Sequence, residues 1–384
     1  MKSLRLLFAS ASAAALLAAC GGSGDEPPQF KSVVSFGDSI SDVGTYDVGT
    51  IDGLGGGRFT VNGADGKVWT EYLAESLGTP AQCAAQTGML ANNGVTGAPV
   101  QDFAACDNYA QGSSRVTSSG SGPNGVALQA PPYNQLNLGF MAISLQQQFN
   151  AYLAKHGGAF SGGELVTVNA GGNDAFMQLN GVGNAFGGGA AAAGAGTIAG
   201  WPADVIAAVS GGGDAAVSAT SGAAVAAMGQ AGGELAGYIK SLAVGKGARY
   251  VLVRNLGDIN LTPFGFTLDA GTKGLITAMT KAYNDQLKAG LDGTPGVLIY
   301  DDYAQTASVV ADPAKYGFSN ITTPACGPNA FGAPNGPSIV CNVTNLIVGD
   351  TSRFAFSDDV HPSPYAAQQT VKAVLSLMTS VGWH

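Results

Sequence analysis

The residues of this sequence that are best suited to chemistry are a serine, a histidine and an aspartate, far apart along the chain. Ser39 follows an apolar run, Val33–Phe36, which stops abruptly at Gly37 and Asp38. This pattern predicts a buried strand whose carboxyl end presents the serine hydroxyl on a tight turn, the position at which open α/β sheets collect their chemistry. A serine after Gly-Asp is also common in turns and at helix N-caps, so this motif alone assigns no role.

The histidine best placed to serve as a base is His361. The sequence has three histidines, of which His384 is the last residue and His156 lies at a predicted helix end, where a cation suits the helix dipole. His361 follows two candidate acids, Asp358 and Asp359. A hydroxyl, an imidazole and a carboxylate that fixes the imidazole tautomer are the groups that acyl transfer through a serine nucleophile requires.

Two further strand ends supply hydrogen-bond donors for an oxyanion. One is at Gly112, in Asn-Tyr-Ala-Gln-Gly, and the other is at Asn173, which follows the apolar run 164–170. The carboxyl ends of parallel strands meet at one edge of a sheet, so the backbone N–H groups of Ser39 and Gly112 and the Asn173 amide are expected to converge there.

The elements that position these residues alternate between strands and helices. Strands are predicted at 33–36, 107–110, 164–170, 249–253 and 296–300, and helices at 67–78, 138–155, 223–244, 271–291 and 364–378. Residues 79–105 and 113–132 are predicted to be loops. Strands that alternate with long helices predict a parallel sheet covered on both faces.

Composition narrows the class of protein. The 384 residues are 46% hydrophobic and 11% charged, enough for one large domain or two ordinary ones. The formal net charge of −9 argues against nucleic acid as a partner. Neither a P-loop nor the G-x-S-x-G elbow of α/β-hydrolases occurs, and we expect no cofactor and no metal.

The first thirty residues resemble an export signal. A basic start precedes an apolar segment, Leu6–Leu17, which is too short to span a bilayer. It ends in Leu-Ala-Ala-Cys, which resembles a bacterial lipobox, so residues 1–19 are expected to be a lipoprotein signal peptide and Cys20 the lipidated residue. The alternative is an ordinary secretory signal. Residues 20–30 are then a flexible tether to the cell envelope, at the outer membrane or cell surface, or the start of a secreted protein.

Four cysteines other than Cys20 suggest disulfides in an exported chain. Four cysteines allow three connectivities, and the pairs that close the shortest loops are Cys83–Cys106 and Cys326–Cys341. A zinc site is the alternative, but C-x-x-C spacing is missing and histidines are scarce.

Taken together, the motifs resemble the GDSL (SGNH) hydrolase family of esterases and lipases. The matching blocks run in family order and are Gly37-Asp38-Ser39-Ile40, Asn108-Tyr109-Ala110-x-Gly112, Gly171-x-Asn173-Asp174 and Asp358-x-x-His361-Pro362. The resemblance implies a single domain over 31–384 with the SGNH-hydrolase fold. That fold is a three-layer α/β/α, flavodoxin-like arrangement around a mostly parallel five-stranded sheet.

The resemblance also implies roles. Ser39 would attack an acyl ester to form an acyl-enzyme, His361 would act as base and then acid, and the family spacing favours Asp358 as the orienting acid. Ser39, Gly112 and Asn173 would form the oxyanion hole, and the substrate would be an ester or a lipid. A phospholipase or an acyltransferase would use the same site. A non-enzymatic surface lipoprotein that binds glycans is the alternative from another class.

The stretch from about 181 to 228 is a glycine- and alanine-rich insertion in this scheme. Its large apolar neighbours Phe176, Met177 and Phe186 are candidates for a substrate pocket, although burial of Met177 in the core is an equal alternative. The glycines predict that residues 183–199 form a flexible flap over an acyl chain. We expect a monomer by default.

Overall fold

A computed structural model describes residues 27–91, 94–117 and 142–384 of the protein. The predicted signal peptide, Cys20 and the first part of the predicted tether lie outside the described residues. So do residues 118–132 of the predicted loop and the first residues, 138–141, of one predicted helix.

The strands that the described residues form are β1 (Ser32–Gly37), β2 (Gln86–Met89), β3 (Ala98–Asp102), β4 (Glu164–Asn169), β5 (Tyr250–Arg254) and β6 (Val297–Tyr300). The central sheet is parallel, in the order β1-β4-β5-β6. Its strands are apolar on both faces, because helices cover both sides of the sheet. The small antiparallel pair of β2 and β3 lies in a stretch that was predicted to be a loop.

The predicted fifth strand is reduced to a bridge beside β1. Asn108 pairs with Ser35 in the parallel sense, and the Ser35 N–H donates to the carbonyl of Asp107 at 3.1 Å. The N–H groups of Tyr109 and Gln111 donate to the carbonyls of Ser35 and Gly37 at 2.7 and 3.1 Å, but the Gly37 N–H is taken by the Gln148 side chain, so no regular ladder forms. With Asn108 counted as a strand position, the order is the flavodoxin-like 2-1-3-4-5.

The helices of the described residues form the outer layers. They are α1 (Gly49–Gly53), α2 (Trp69–Ser76), α3 (Leu145–Lys155), α4 (Gly172–Ala185), α5 (Gly189–Ala199), α6 (Ala203–Ala208), α7 (Gly213–Tyr238), α8 (Pro263–Phe266), α9 (Ala270–Leu291), α10 (Asp302–Ala311) and α11 (Pro364–Ser380). Val34 and Val166 face a core shared with α3, α7 and α9, whereas Val33 and Leu165 face α2 and α11. Three layers result, as predicted. In the parts of the chain that the structure describes, no helix is both long and apolar enough to span a bilayer.

Helix ends follow local capping chemistry. The Ser363 hydroxyl accepts the Ala366 N–H at 3.1 Å with proline in the first helical position, so α11 begins where the sequence predicts. Helix α3 begins later than the predicted 138, because Ser144 caps it and forms a capping box with Gln147.

The segment 183–199, which was predicted to be a flexible flap, is mostly helical instead of a loop. The segment forms the end of α4 and all of α5, and Ala192 and Ala199 are buried. Trp201 anchors the segment, since it is buried and its indole N–H donates to Gln178 Oε1 at 2.6 Å. Alanine is the best helix former and its small side chain lets helices approach closely, so composition alone misled the prediction.

Both predicted disulfides are present. Cys83 and Cys106 have Cα atoms 5.1 Å apart, and those of Cys326 and Cys341 are 5.9 Å apart. The first links the segments that flank the β2–β3 pair, and the carbonyl of Cys83 accepts the Asn108 N–H. It therefore supports the turn that leads to Gly112.

The close packing of α7 on α9 gives a test of the helical layer. A Cβ at Gly232 would lie 2.2 Å from the carbonyl oxygen of Tyr283 in α9, whereas a Cβ at Gly233 would meet no described atom within 4 Å. We expect Gly232→Ala to lower the free energy of unfolding by about 1–3 kcal/mol through overpacking. The control Gly233→Ala should be neutral or raise it by up to about 1 kcal/mol through helix propensity. Denaturant unfolding measures both, and equal effects would contradict this packing.

Candidate active site

Ser39 is presented by a turn that two hydrogen bonds hold at the end of β1. The buried side chain of Gln148 accepts the Gly37 N–H and donates to the Gly37 carbonyl, both at 2.8 Å. A Cβ at Gly37 would lie 2.5 Å from the carbonyl oxygen of Asn169, so only glycine fits between β1 and β4 here. The chain therefore leaves the sheet at this point and places Ser39 over its edge.

Ser39, His361 and Asp358 lie in hydrogen-bond contact. Ser39 Oγ is 2.9 Å from His361 Nε2, and His361 Nδ1 lies 2.8 and 2.9 Å from the two oxygens of Asp358. Because the carboxylate only accepts, Nδ1 carries a proton toward it, and Nε2 of a neutral ring accepts the serine hydroxyl. His361 is buried, and its ring lies against Phe59 with ring centroids 5.1 Å apart.

The Asp358 carboxylate is buried and fully hydrogen-bonded. It accepts the backbone N–H groups of Val360, His361 and Ser338 at 3.0, 2.8 and 2.9 Å, besides the imidazole. Burial alone would raise the pKa of the Asp358 carboxyl. The charge and hydrogen bond of His361 and the Ser338 N–H outweigh burial, so this pKa lies well below its ordinary value.

The rival acid, Asp359, lies elsewhere. Its side chain is exposed and its carboxylate is 3.4 Å from the Asn335 amide nitrogen. Of the two candidates, the structure brings Asp358 to the imidazole.

Asn173 sits at the start of α4, beside a buried ion pair. Its amide donates to the carbonyl of Ser114 at 2.9 Å. The next residue, Asp174, is buried against Arg115 at 3.2 Å and accepts the Val116 N–H at 2.8 Å. These contacts fix the first turn of α4 against the turn that follows Gly112.

Gly112 is closely packed, and its N–H, which was predicted to bind an oxyanion, already donates a hydrogen bond within the protein. It donates to a carboxylate oxygen of the buried Asp42 at 2.7 Å, and the Gly112 carbonyl accepts the Tyr46 hydroxyl at 2.9 Å. A Cβ at this position would overlap the Phe59 ring at 2.2 Å. The next residue, Ser113, has a φ of 71°, and it is the one non-glycine with positive φ among the described residues.

A cavity of about 190 Å³ opens beside Ser39, Asn173 and His361. Of the three predicted pocket residues, Phe176 lines this cavity, whereas Met177 is buried away from it and Phe186 is 64% exposed. The other large apolar residues of its wall include Leu256, Ile259, Val309, Val310, Phe318 and Ile321.

The same cavity has polar lining residues that the sequence prediction missed. They include Asp38, Asn169, Arg254, Asp258, Asp302 and Gln369. Arg254 could have been predicted from the sequence. It is a charged residue directly after the apolar run 249–253, and polar residues at the carboxyl ends of strands, such as Ser39, are the ones expected at the site. Gln148 and Ser338 were also missed, and nothing in their local sequence distinguishes them.

Asp38 directly precedes Ser39 and lines the same cavity. Burial raises its pKa to about 6, against the Ile40 N–H and the charges of His361 and Arg254, which lower it. In the described parts of the chain, no three His, Cys, Asp or Glu side chains cluster as a metal site would require.

A parallel sheet that carries a Ser-His-Asp contact at its carboxyl edge is the arrangement of a serine hydrolase. The model of the GDSL-like lipase/acylhydrolase family matches residues 33–374, most of the chain. The chain belongs to this family.

Relatives in Arabidopsis thaliana agree with that assignment. Three GDSL esterase/lipases from this plant are 30%, 28% and 27% identical over 129, 133 and 142 residues. These matches cover 30%, 31% and 34% of this chain and 34%, 34% and 36% of the relatives. The chain thus matches about a third of the length of each relative.

Proposed function

We propose that the protein hydrolyses carboxylic esters through an acyl-enzyme on Ser39. The observation that carries the proposal is the continuous contact from Ser39 Oγ through His361 to Asp358, at 2.9 and 2.8 Å, on the wall of a largely apolar cavity. Family membership supports it, as do the relatives, which are named esterase/lipases.

In the proposed mechanism, Ser39 Oγ bonds to the acyl carbon while its proton passes to His361 Nε2. The negative charge of buried Asp358 stabilises the imidazolium that forms. His361 then gives the proton to the departing alkoxide, and the C–O bond of the ester breaks. A water molecule that His361 deprotonates attacks the acyl-enzyme, and the proton returns to Ser39 as the acid leaves.

The oxyanion would be held by the Ser39 N–H, the Asn173 amide and a donor on the turn at Gly112. The Gly112 N–H would have to share its proton with Asp42, because it already donates to that carboxylate. The Asn173 amide would use its second N–H, since one N–H is directed to the Ser114 carbonyl.

The function is tested with a panel of esters that vary in acyl length and leaving group, offered to the wild type and to Ser39→Ala. Hydrolysis by the wild type alone supports the proposal. Turnover restricted to phospholipids would favour a phospholipase, and faster transfer to an added alcohol than to water would favour an acyltransferase. If both proteins were inactive, a glycan-binding lipoprotein would be the better account.

The choice of acid gives a matched pair of variants. Asp358→Asn should lower kcat on the order of 10⁴-fold, as the same change does in a serine-protease triad, because the amide favours the wrong imidazole tautomer. Asp359→Asn should retain near wild-type kcat, because Asp359 is exposed and its side chain contacts the Asn335 amide. Steady-state kinetics on one ester decides between them, and the reverse ranking would assign the role to Asp359.

The role of Asn173 is tested in the same way. Asn173→Ala should lower kcat about 10²–10³-fold with little change in KM, since an oxyanion donor acts mainly in the transition state. Asn184→Ala, an exposed change on the same helix, is the control. A rise in KM with kcat unchanged would show that Asn173 binds the ground state instead.

We also propose that the protein is exported and held at the cell envelope by a lipid on Cys20. The support is the lipobox-like sequence together with two disulfides, which persist in oxidising compartments. Cys20→Ser should move the protein from the membrane fraction to the soluble fraction, as measured by fractionation and blotting. An unchanged distribution would refute the anchor.

A further inference from the structure

Three residues that line the catalytic cavity each carry a buried polar atom with no hydrogen-bond partner among the described residues. These atoms are Asn169 Oδ1, Arg254 Nε and Gln369 Nε2. Asn169 and Arg254 are the last residues of β4 and β5, and both side chains are more than nine-tenths buried. A buried polar group without a partner is costly, and the few that native proteins keep call for an explanation.

Arg254 is held firmly by its other contacts. Its terminal nitrogen Nη2 donates to Asp302 at 2.6 Å, and its guanidinium carbon lies 4.8 Å from the centre of the Trp69 ring. The plane of the guanidinium is therefore fixed by a carboxylate and an aromatic face. The Nε–H of this cavity-lining residue is buried and has no acceptor among the described residues.

The charges of this wall indicate which kind of ligand group the Arg254 Nε–H can bind. Two carboxylates, Asp38 and Asp302, line the cavity with the single guanidinium of Arg254, and Asp258 adds a third. Asp302 already neutralises Arg254, so a phosphate or a carboxylate would meet net repulsion in this wall. A neutral hydroxyl fits better, because it accepts from Arg254 or Gln369 and donates to Asn169 or a carboxylate.

We propose that Asn169, Arg254 and Gln369 form a hydroxyl-recognising subsite, and that the preferred ester carries a free hydroxyl close to the bond that is cleaved. The proposal rests on the ester hydrolysis proposed above and specifies its substrate class. The hydroxyl belongs either to a polyol leaving group or to a hydroxylated acyl group, and both present the same chemistry to the wall.

Recognition of this kind discriminates strongly. A plain alkyl ester offers these three polar atoms no partner, and sites built to hydrogen-bond a substrate hydroxyl reject the analogue that lacks it. We expect kcat/KM to favour the hydroxylated ester by about tenfold or more, which corresponds to roughly one hydrogen bond.

The test uses two matched substrate pairs with the full chain. Glycerol monobutyrate against propyl butyrate places the hydroxyls on the leaving group, and ethyl 3-hydroxybutyrate against ethyl butyrate places one on the acyl group. A preference of tenfold or more in one pair supports the subsite and tells which side of the ester it binds. Ratios near one in both pairs would overturn it.

Two variants connect that preference to the wall. Arg254→Lys keeps a cation for Asp302 but removes the Nε–H, and Gln369→Met keeps the length of the side chain but removes the amide. Each should reduce the hydroxyl preference several-fold, measured as the ratio of the two kcat/KM values. Gln368→Met, an exposed change one residue earlier on α11, should leave the ratio unchanged.

The outcomes separate this proposal from the broader one. If both variants keep the wild-type ratio, the wall does not read the hydroxyl and the inference fails, although ester hydrolysis stands. If the wild type cleaves none of the four esters, or if Ser39→Ala cleaves them equally well, the proposed function fails first. Gln369→Met keeps the test decisive if Arg254→Lys fails to fold.

Discussion

The site depends on a buried carboxylate that stays ionised, that of Asp358. A carboxylate taken out of water destabilises the fold by several kcal/mol unless hydrogen bonds and an opposite charge replace its hydration. Asp358 obtains them from the imidazole and from three backbone N–H groups. Two of these N–H groups lie within three residues, at Val360 and His361, whereas the third, at Ser338, is brought from a separate loop.

The loop that carries this third donor, the Ser338 N–H, is held in place by a disulfide and by contacts with distant segments. Ser338 lies between Cys326 and Cys341, so the disulfide closes a loop of sequence separation 15 around it. The Cys326 N–H donates to the carbonyl of Ser357, and the Asn62 amide donates to the Ser338 carbonyl at 3.0 Å. The loop is thereby fixed both to the strand-like segment before Asp358 and to the amino-terminal half of the domain.

How much of this the sequence could predict depends on whether a residue is placed by its neighbours in the chain or by distant contacts. Ser39 and Asn173 could be predicted because each follows an apolar strand. Asp358 could be predicted because of its spacing to His361. Ser338 and Gln148 are placed by contacts over 20 and 111 residues, which no local pattern encodes. Helix α5 and the start of α7 were missed for another reason, since small side chains give little hydrophobic periodicity to detect.

Asp358 and Arg254 show two uses of buried charge at one sheet edge. The Asp358 carboxylate is bonded by the imidazole and by three backbone N–H groups, as expected of a group that is proposed to orient His361 before substrate arrives. Arg254 is held equally firmly by Asp302 and Trp69, but one of its N–H groups faces no protein acceptor. The difference matches the roles that we propose for the two groups. A group that positions a catalytic base has all its partners within the fold, whereas a group that recognises a substrate must leave one bond to be completed by the ligand.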